Sequence, residues 1–254
     1  MKKAYNSKRK FCFFPVLLCI CLSFFNLSCG LDVVDAVLED PFVTSGDLPA
    51  ETSNFELMTF NFSTLKLDNA NDFGKGYVYY KIYNNRGTKE SEKGNLDSIT
   101  SDSARRNNAY TSLINNYSYQ PLHFVKTKGD QLEEFSFDNK AQTISIRLTN
   151  YGTDEFSAKI VLDGTTIGIP MRFNDKTFDF GRDGDFDEKP VKVSSAEEST
   201  SDVRKFSDNP DNPNILYVVL YGIFYMPNES FEKTIYSPVH YLGEVTINAS
   251  VENN

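Results

Sequence analysis

The densest run of metal-ligand side chains is Asp179-Phe180-Gly181-Arg182-Asp183-Gly184-Asp185-Phe186-Asp187-Glu188. In an extended segment Asp183, Asp185 and Asp187 point to one side, where their mutual repulsion disfavours a strand unless a cation sits among them. The loop is not an EF-hand: counted from Asp183, Glu188 stands where the sharp turn needs Gly, and Ser194 stands where the bidentate Glu should close the site. Two readings follow, a weak Ca²⁺ site or an acidic turn neutralised by Arg182, Lys189 and Lys192. The two histidines, His123 and His240, lie far apart among ordinary neighbours. No GxSxG, HExxH, phosphate-binding loop or dinucleotide fingerprint is present, so the sequence predicts no catalytic residue and no cofactor. Tyrosine is the remaining recurrent feature: Tyr77, Tyr79 and Tyr83 share one strand face, and Tyr217, Tyr221 and Tyr225 share another. Tyrosine suits recognition because it offers area and a hydroxyl at low entropic cost, and it fills strands equally well.

All four cysteines, Cys12, Cys19, Cys21 and Cys29, fall in the first 29 residues, so no disulfide is expected within the body. A basic stretch ending at Lys10 precedes the apolar run Phe11 to Phe25, which is short of the roughly 20 residues that span a bilayer as a helix. Residues 1–28 therefore read as a secretory signal. The run ends in Asn26-Leu27-Ser28-Cys29-Gly30, which resembles the lipobox of bacterial lipoproteins, including the loosened boxes of spirochaetes. That resemblance implies cleavage before Cys29 and its lipidation, palmitate included. Acyl chains contribute about 0.8 kcal/mol per buried methylene, enough for several to anchor a protein stably. The membrane is then one partner, and the expected location is the cell envelope, with the outer membrane or cell surface favoured.

The leader carries Lys2, Lys3, Lys8, Arg9 and Lys10 and no acid. Without it, the 26 Lys and Arg fall to 21 against 35 Asp and Glu, a net charge of −14. So acidic a body repels phosphate backbones, which argues against nucleic-acid binding. Residues 29–54, with Asp32, Asp35, Glu39, Asp40, Pro41, Gly46, Asp47 and Pro49, read as a tether. Its apolar cluster Leu31, Val33, Val34, Val37 and Leu38 fits a short helix or a first strand equally well.

The body, 55–252, reads as antiparallel β. Val78, Tyr80 and Ile82 alternate with Tyr77, Tyr79, Lys81 and Tyr83; Ile144, Ile146 and Leu148 alternate with Ser145, Arg147 and Thr149. Phe156, Ala158, Ile160 and Leu162 run into Asp163-Gly164, a pair suited to a two-residue hairpin turn, and Ile167, Ile169 and Met171 follow. Together with Phe135 to Phe137 and Thr177 to Phe180, these strands predict an inserted β-meander. One short helix is predicted at about 107–116, where Tyr110, Leu113, Ile114 and Tyr117 recur at helical spacing. Residues 193–214, rich in Ser, Glu, Asp, Asn and Pro, read as a polar loop. Residues 216–225, LYVVLYGIFY, are apolar on both faces, so something must cover the second; the insertion, about 84–211, is the economical candidate.

Gly76-Tyr77-Val78-Tyr79-Tyr80-Lys81-Ile82-Tyr83, LYVVLYGIFY and the segment from Tyr236 to Ile247 resemble the third and last two strands of a fibronectin type III sandwich. With the leader and lipobox, they also resemble treponemal surface lipoproteins of undefined activity. The type III resemblance implies an Ig-like antiparallel sandwich that serves as a scaffold for binding or spacing. Phe60 or Phe62 would then take the place of the tryptophan usual in its second strand. The expected function is a binding or structural module with a protein partner; the alternative is a periplasmic small-ligand or Ca²⁺-binding lipoprotein. Fold alone does not choose between them.

Overall fold

The computed structural model describes residues 38–44, 59–68, 70, 73–102, 108–148, 158–178, 202–204, 215–228 and 233–248. The chain divides into two units after Ala36; the first lies outside the described residues, and the second holds all of them.

Period-two apolar patterning produces two antiparallel sheets. In the first, the strands run in the order β1 (Phe42–Thr44), β2 (Thr59–Thr64), β8 (Gln142–Arg147), β9 (Lys159–Leu162), β10 (Thr165–Met171), β5 (His123–Val125) and β6 (Glu133–Glu134). The second is built on two long neighbours, β3 (Lys75–Tyr83) and β12 (Ile215–Asn228). The free edge of β12 is covered by β14 (His240–Asn248) and then β13 (Lys233–Tyr236). The other edge of β3 takes β7 (Ser136–Asp138), β4 (Gln120–Pro121) and, in parallel, β11 (Val203–Arg204).

The core lies between the sheets. Phe60, Phe62, Ile144, Ile146 and Ile160 from the first meet Val78, Tyr80, Ile82, Leu216, Val218 and Leu220 from the second, all nearly inaccessible to solvent. Phe42 packs edge-on to Phe137 across the gap, with ring centroids 5.8 Å apart. Gly222 makes that approach possible, because a Cβ there would lie 2.4 Å from the Phe42 ring. At the β9–β10 turn Asp163 and Gly164 both adopt positive φ, as the two-residue hairpin requires. The Asp163 carboxylate accepts the Thr143 N–H at 2.8 Å, which holds its pKa below the usual range.

The second sheet has two buried faces. Its far side carries Tyr79, Tyr83, Tyr217, Val219, Tyr221 and Ile223, and helical segments cover it with Leu96, Ala109 and Leu113. One is α1 (Arg86–Ser101); the other is α2 (Ala109–Thr111), which continues into a π-helical turn at Ser112–Asn116. Asn85 caps α1 by accepting the Thr88 N–H at 2.9 Å. The molecule is thus sheet on sheet with a helical third layer.

Four expectations need correction. The single short helix becomes two helical elements, since α1 is 16 residues long and buries Lys89, Glu92 and Leu96 instead of an apolar stripe. The meander is not an appendage: β8, β9 and β10 form the middle of the first sheet. Phe137 lies on β7, which pairs with β3 in the opposite sheet, and Thr177 and Phe178 are not in a strand. Within the stretch read as a polar loop, Asp202 is fully buried and residues 203–204 form β11. Finally, within the stretch read as a tether, 29–54, Phe42–Thr44 form β1 and Leu38 and Phe42 are buried; most of the rest of it, residues 1–28 and most of 193–214 lie outside the described residues.

Candidate ligand-binding cleft

At one end of the helical side of the second sheet, five tyrosines and a carboxylate line an open cleft of about 250 Å³. Its walls are Tyr77, Tyr79, Tyr110, Glu134, Tyr225, Thr234 and Tyr236. Alternation puts Tyr77 and Tyr79 on the same face of β3, and the antiparallel register brings Tyr225 of β12 beside them. Tyr225 pairs with Tyr236 across the β12–β13 ladder, and α2 sets Tyr110 over the sheet. Glu134 arrives from β6, just before the chain crosses into β7.

The rings form a chain of four contacts. Tyr77 stacks on Tyr225 with centroids 5.0 Å apart, and their hydroxyls share a 2.9 Å hydrogen bond. Tyr225 leans on Tyr236 at 6.3 Å, Tyr236 stacks on Tyr110 at 3.9 Å, and Tyr110 meets Tyr79 edge-on at 6.2 Å. Aromatic pairs in such offset or edge-on arrangements contribute about 0.5–1.5 kcal/mol each beyond their buried area. The rings therefore hold one another in place.

Burial raises the Tyr77 and Tyr79 hydroxyls far above their ordinary pKa, with further upward contributions from Tyr225 and Tyr110 respectively. Burial likewise raises the Tyr236 hydroxyl. At neutral pH these groups stay protonated and can donate or accept hydrogen bonds. Glu134 is solvent-accessible at the mouth, yet partial desolvation raises its carboxyl pKa, opposed by nearby His123. Glu134 makes no ion pair among the described residues.

A buried ionic layer holds the helical cover in place. Lys81 of β3 donates to Glu92 of α1 at 2.7 Å and to the Tyr117 carbonyl, and Tyr83 donates to the same Glu92 oxygen at 2.9 Å. The Tyr83 hydroxyl also shares a 2.9 Å hydrogen bond with that of Tyr119. Lys89 pairs with Glu244 of β14, and its ammonium lies 4.8 Å from the Tyr217 ring centroid. Buried charges are tolerated when paired and hydrogen-bonded in this way, and the pairing fixes how α1 seats on the sheet.

Cys29 and the acidic residues Asp183, Asp185 and Asp187 lie outside the described residues. The histidines are not brought together: His123 Nδ1 lies 3.0 Å from the Pro121 carbonyl, and His240 pairs with Asp40 at 2.6 Å and stacks on Phe42. Among the described residues no three His, Cys, Asp or Glu side chains gather as a metal site. No helix among them is long and apolar enough to cross a membrane. Of the tyrosines singled out by sequence, Tyr77, Tyr79 and Tyr225 line the cleft, whereas Tyr83, Tyr217 and Tyr221 pack beneath the helices. Sequence reading missed Glu134, Thr234 and the convergence of Tyr110 and Tyr236, for which no local pattern existed. Comparison with protein-family models, curated proteins and solved structures finds no match.

Proposed function

We propose that this chain is a lipid-anchored binding module of a bacterial cell envelope, tethered through Cys29 and recognising its partner with the tyrosine cleft. The observation that carries the binding half is the run of five contacting tyrosines contributed by β3, β12, β13 and α2. Rigid aromatic walls on a two-sheet scaffold supply contact area without an ordering cost, which is how recognition surfaces work. Catalysis fits the same groups poorly. The tyrosine hydroxyls are held protonated far from the pH range of a general base, and Glu134 has no nucleophile or base beside it in the cleft.

The fibronectin type III-like reading draws support from strand order. β1-β2-β8 in one sheet faces β3-β12-β14 in the other, the arrangement of the ABE and CFG sheets of Ig-like sandwiches. Phe60 and Phe62 are both buried in the intervening core, where the missing tryptophan would stand. The second reading, a periplasmic small-ligand or Ca²⁺-binding lipoprotein, gains on its small-ligand side from the size of the cleft. The anchoring half rests on the order of basic, apolar and small residues before Cys29.

Detergent phase partitioning of the full chain against Cys29→Ala tests the anchor, with the wild type expected in the detergent phase and the variant in the aqueous phase. Equal aqueous partitioning of both would end the anchored reading.

A further inference from the structure

We propose that the tyrosine cleft binds a small organic ammonium cation. The proposal rests on the binding reading above and narrows it to a ligand class. Besides five aromatic rings, the lining offers hydroxyls and one carboxylate, and includes no Lys, Arg or His. An anion would meet Glu134 with no cation in the wall to offset it. A cation is attracted by the negative faces of tyrosine rings, the interaction by which proteins hold alkylated ammonium groups.

Glu134 makes no ion pair among the described residues, His123 opposite it on β5 acting on it only from a distance, so a positive group in the cleft would pair with its carboxylate directly. Size points the same way. About 250 Å³ is below the ~300–1,000 Å³ of pockets for drug-sized molecules, and matches a compact ligand. A bare divalent ion fits less well, since Ca²⁺ takes 6–8 oxygens and the cleft has one carboxylate. A neutral sugar could stack on the rings but would leave the carboxylate uncompensated. The acidic body also raises the local concentration of cations.

The chain has 14 tyrosines and no tryptophan, so ligand binding can be read directly in tyrosine fluorescence. The experiment titrates the full chain with tetramethylammonium chloride, with sodium chloride at matched ionic strength and with glucose. A saturable response to tetramethylammonium alone is expected. Tyr236→Ala should weaken it roughly tenfold or more, and Glu134→Gln about threefold to fivefold. Glu134 is exposed and its replacement should leave the fold intact, so that arm stands even if Tyr236→Ala is unstable. A response to tetramethylammonium no different from sodium chloride, or unchanged in Glu134→Gln, overturns the ammonium assignment. Saturable binding of glucose alone overturns it while preserving the cleft as a binding site. No response to either probe removes both.

Discussion

Removing the Asp202 carboxylate should cost this fold more than almost any surface change. Arg172, just past β10, and Asp202, just before β11, are both fully buried and form a two-pronged pair: Nε to Oδ2 at 2.7 Å and Nη2 to Oδ1 at 2.8 Å. Tyr80 of β3 donates to the same carboxylate at 2.8 Å, and the Phe173 N–H donates to the Tyr80 hydroxyl at 3.0 Å. The Asp202 carbonyl accepts the Ile82 N–H at 3.1 Å, which docks β11 on the edge of β3. One residue thus joins the chain leaving β10 of the first sheet, through its side chain, to Tyr80 of the second, and through its carbonyl to the edge of β3. Asp202→Ala strips a buried guanidinium of this counter-charge, a change that costs about 3–5 kcal/mol. Against a total stability of about 5–15 kcal/mol that is a large share. At roughly 2–4 °C per kcal/mol for a body of this size, Tm should fall by about 6–20 °C. Tyr80→Phe keeps the pair and should cost about 1.5–3 kcal/mol. Arg172→Met combined with Asp202→Leu removes both charges and should recover most of the loss. Urea unfolding followed by circular dichroism measures all three. If Asp202→Ala unfolds within about 0.5 kcal/mol of wild type, or the double variant is no better than the single, charge pairing is not what holds this junction.

Two further outcomes follow from the buried faces of the second sheet. Val219 on β12 is fully buried toward that layer, so Val219→Asp should lower the urea midpoint by the equivalent of several kcal/mol, and a wild-type midpoint would mean that the face is open. Burial raises the hydroxyl pKa of Tyr80, Tyr83, Tyr119 and Tyr221 above the ordinary ~10 of an unfolded chain, so their contribution is fully present below that pH and lost as pH rises through the folded values. An alkaline titration should show the accessible tyrosines ionising first and the buried ones together with loss of the far-ultraviolet signal; ionisation of all 14 near pH ~10 in a folded chain would contradict it.

Strand identity was legible from local pattern, because a residue that alternates between core and solvent shows it in its neighbours. Val78, Tyr80 and Ile82, Ile144 and Ile146, and the Asp163-Gly164 turn all behave as their spacing predicts. The two-sided burial of β12 was likewise written in its unbroken apolar run. Helix α1 was not legible, because its inward face carries Lys89 and Glu92, whose burial becomes tolerable once Lys81 of the preceding strand folds back on Glu92 and Glu244 arrives from β14. Asp202 looked like solvated loop for the same reason: a carboxylate reads as surface until its guanidinium partner is known. Strand pairing was also undetermined locally, since β7 has the same alternation whether it joins the meander or, as it does, β3. The cleft is the extreme case. Each of its tyrosines is an ordinary strand or helix residue, and their enclosure exists because register, sheet order and the seating of α2 bring Tyr77, Tyr110, Tyr225 and Tyr236 to one place. Sequence determined the principal strands and their apolar faces, which depend on neighbours in the chain; tertiary structure alone decided which charges neutralise one another and which rings meet, because those depend on neighbours in space.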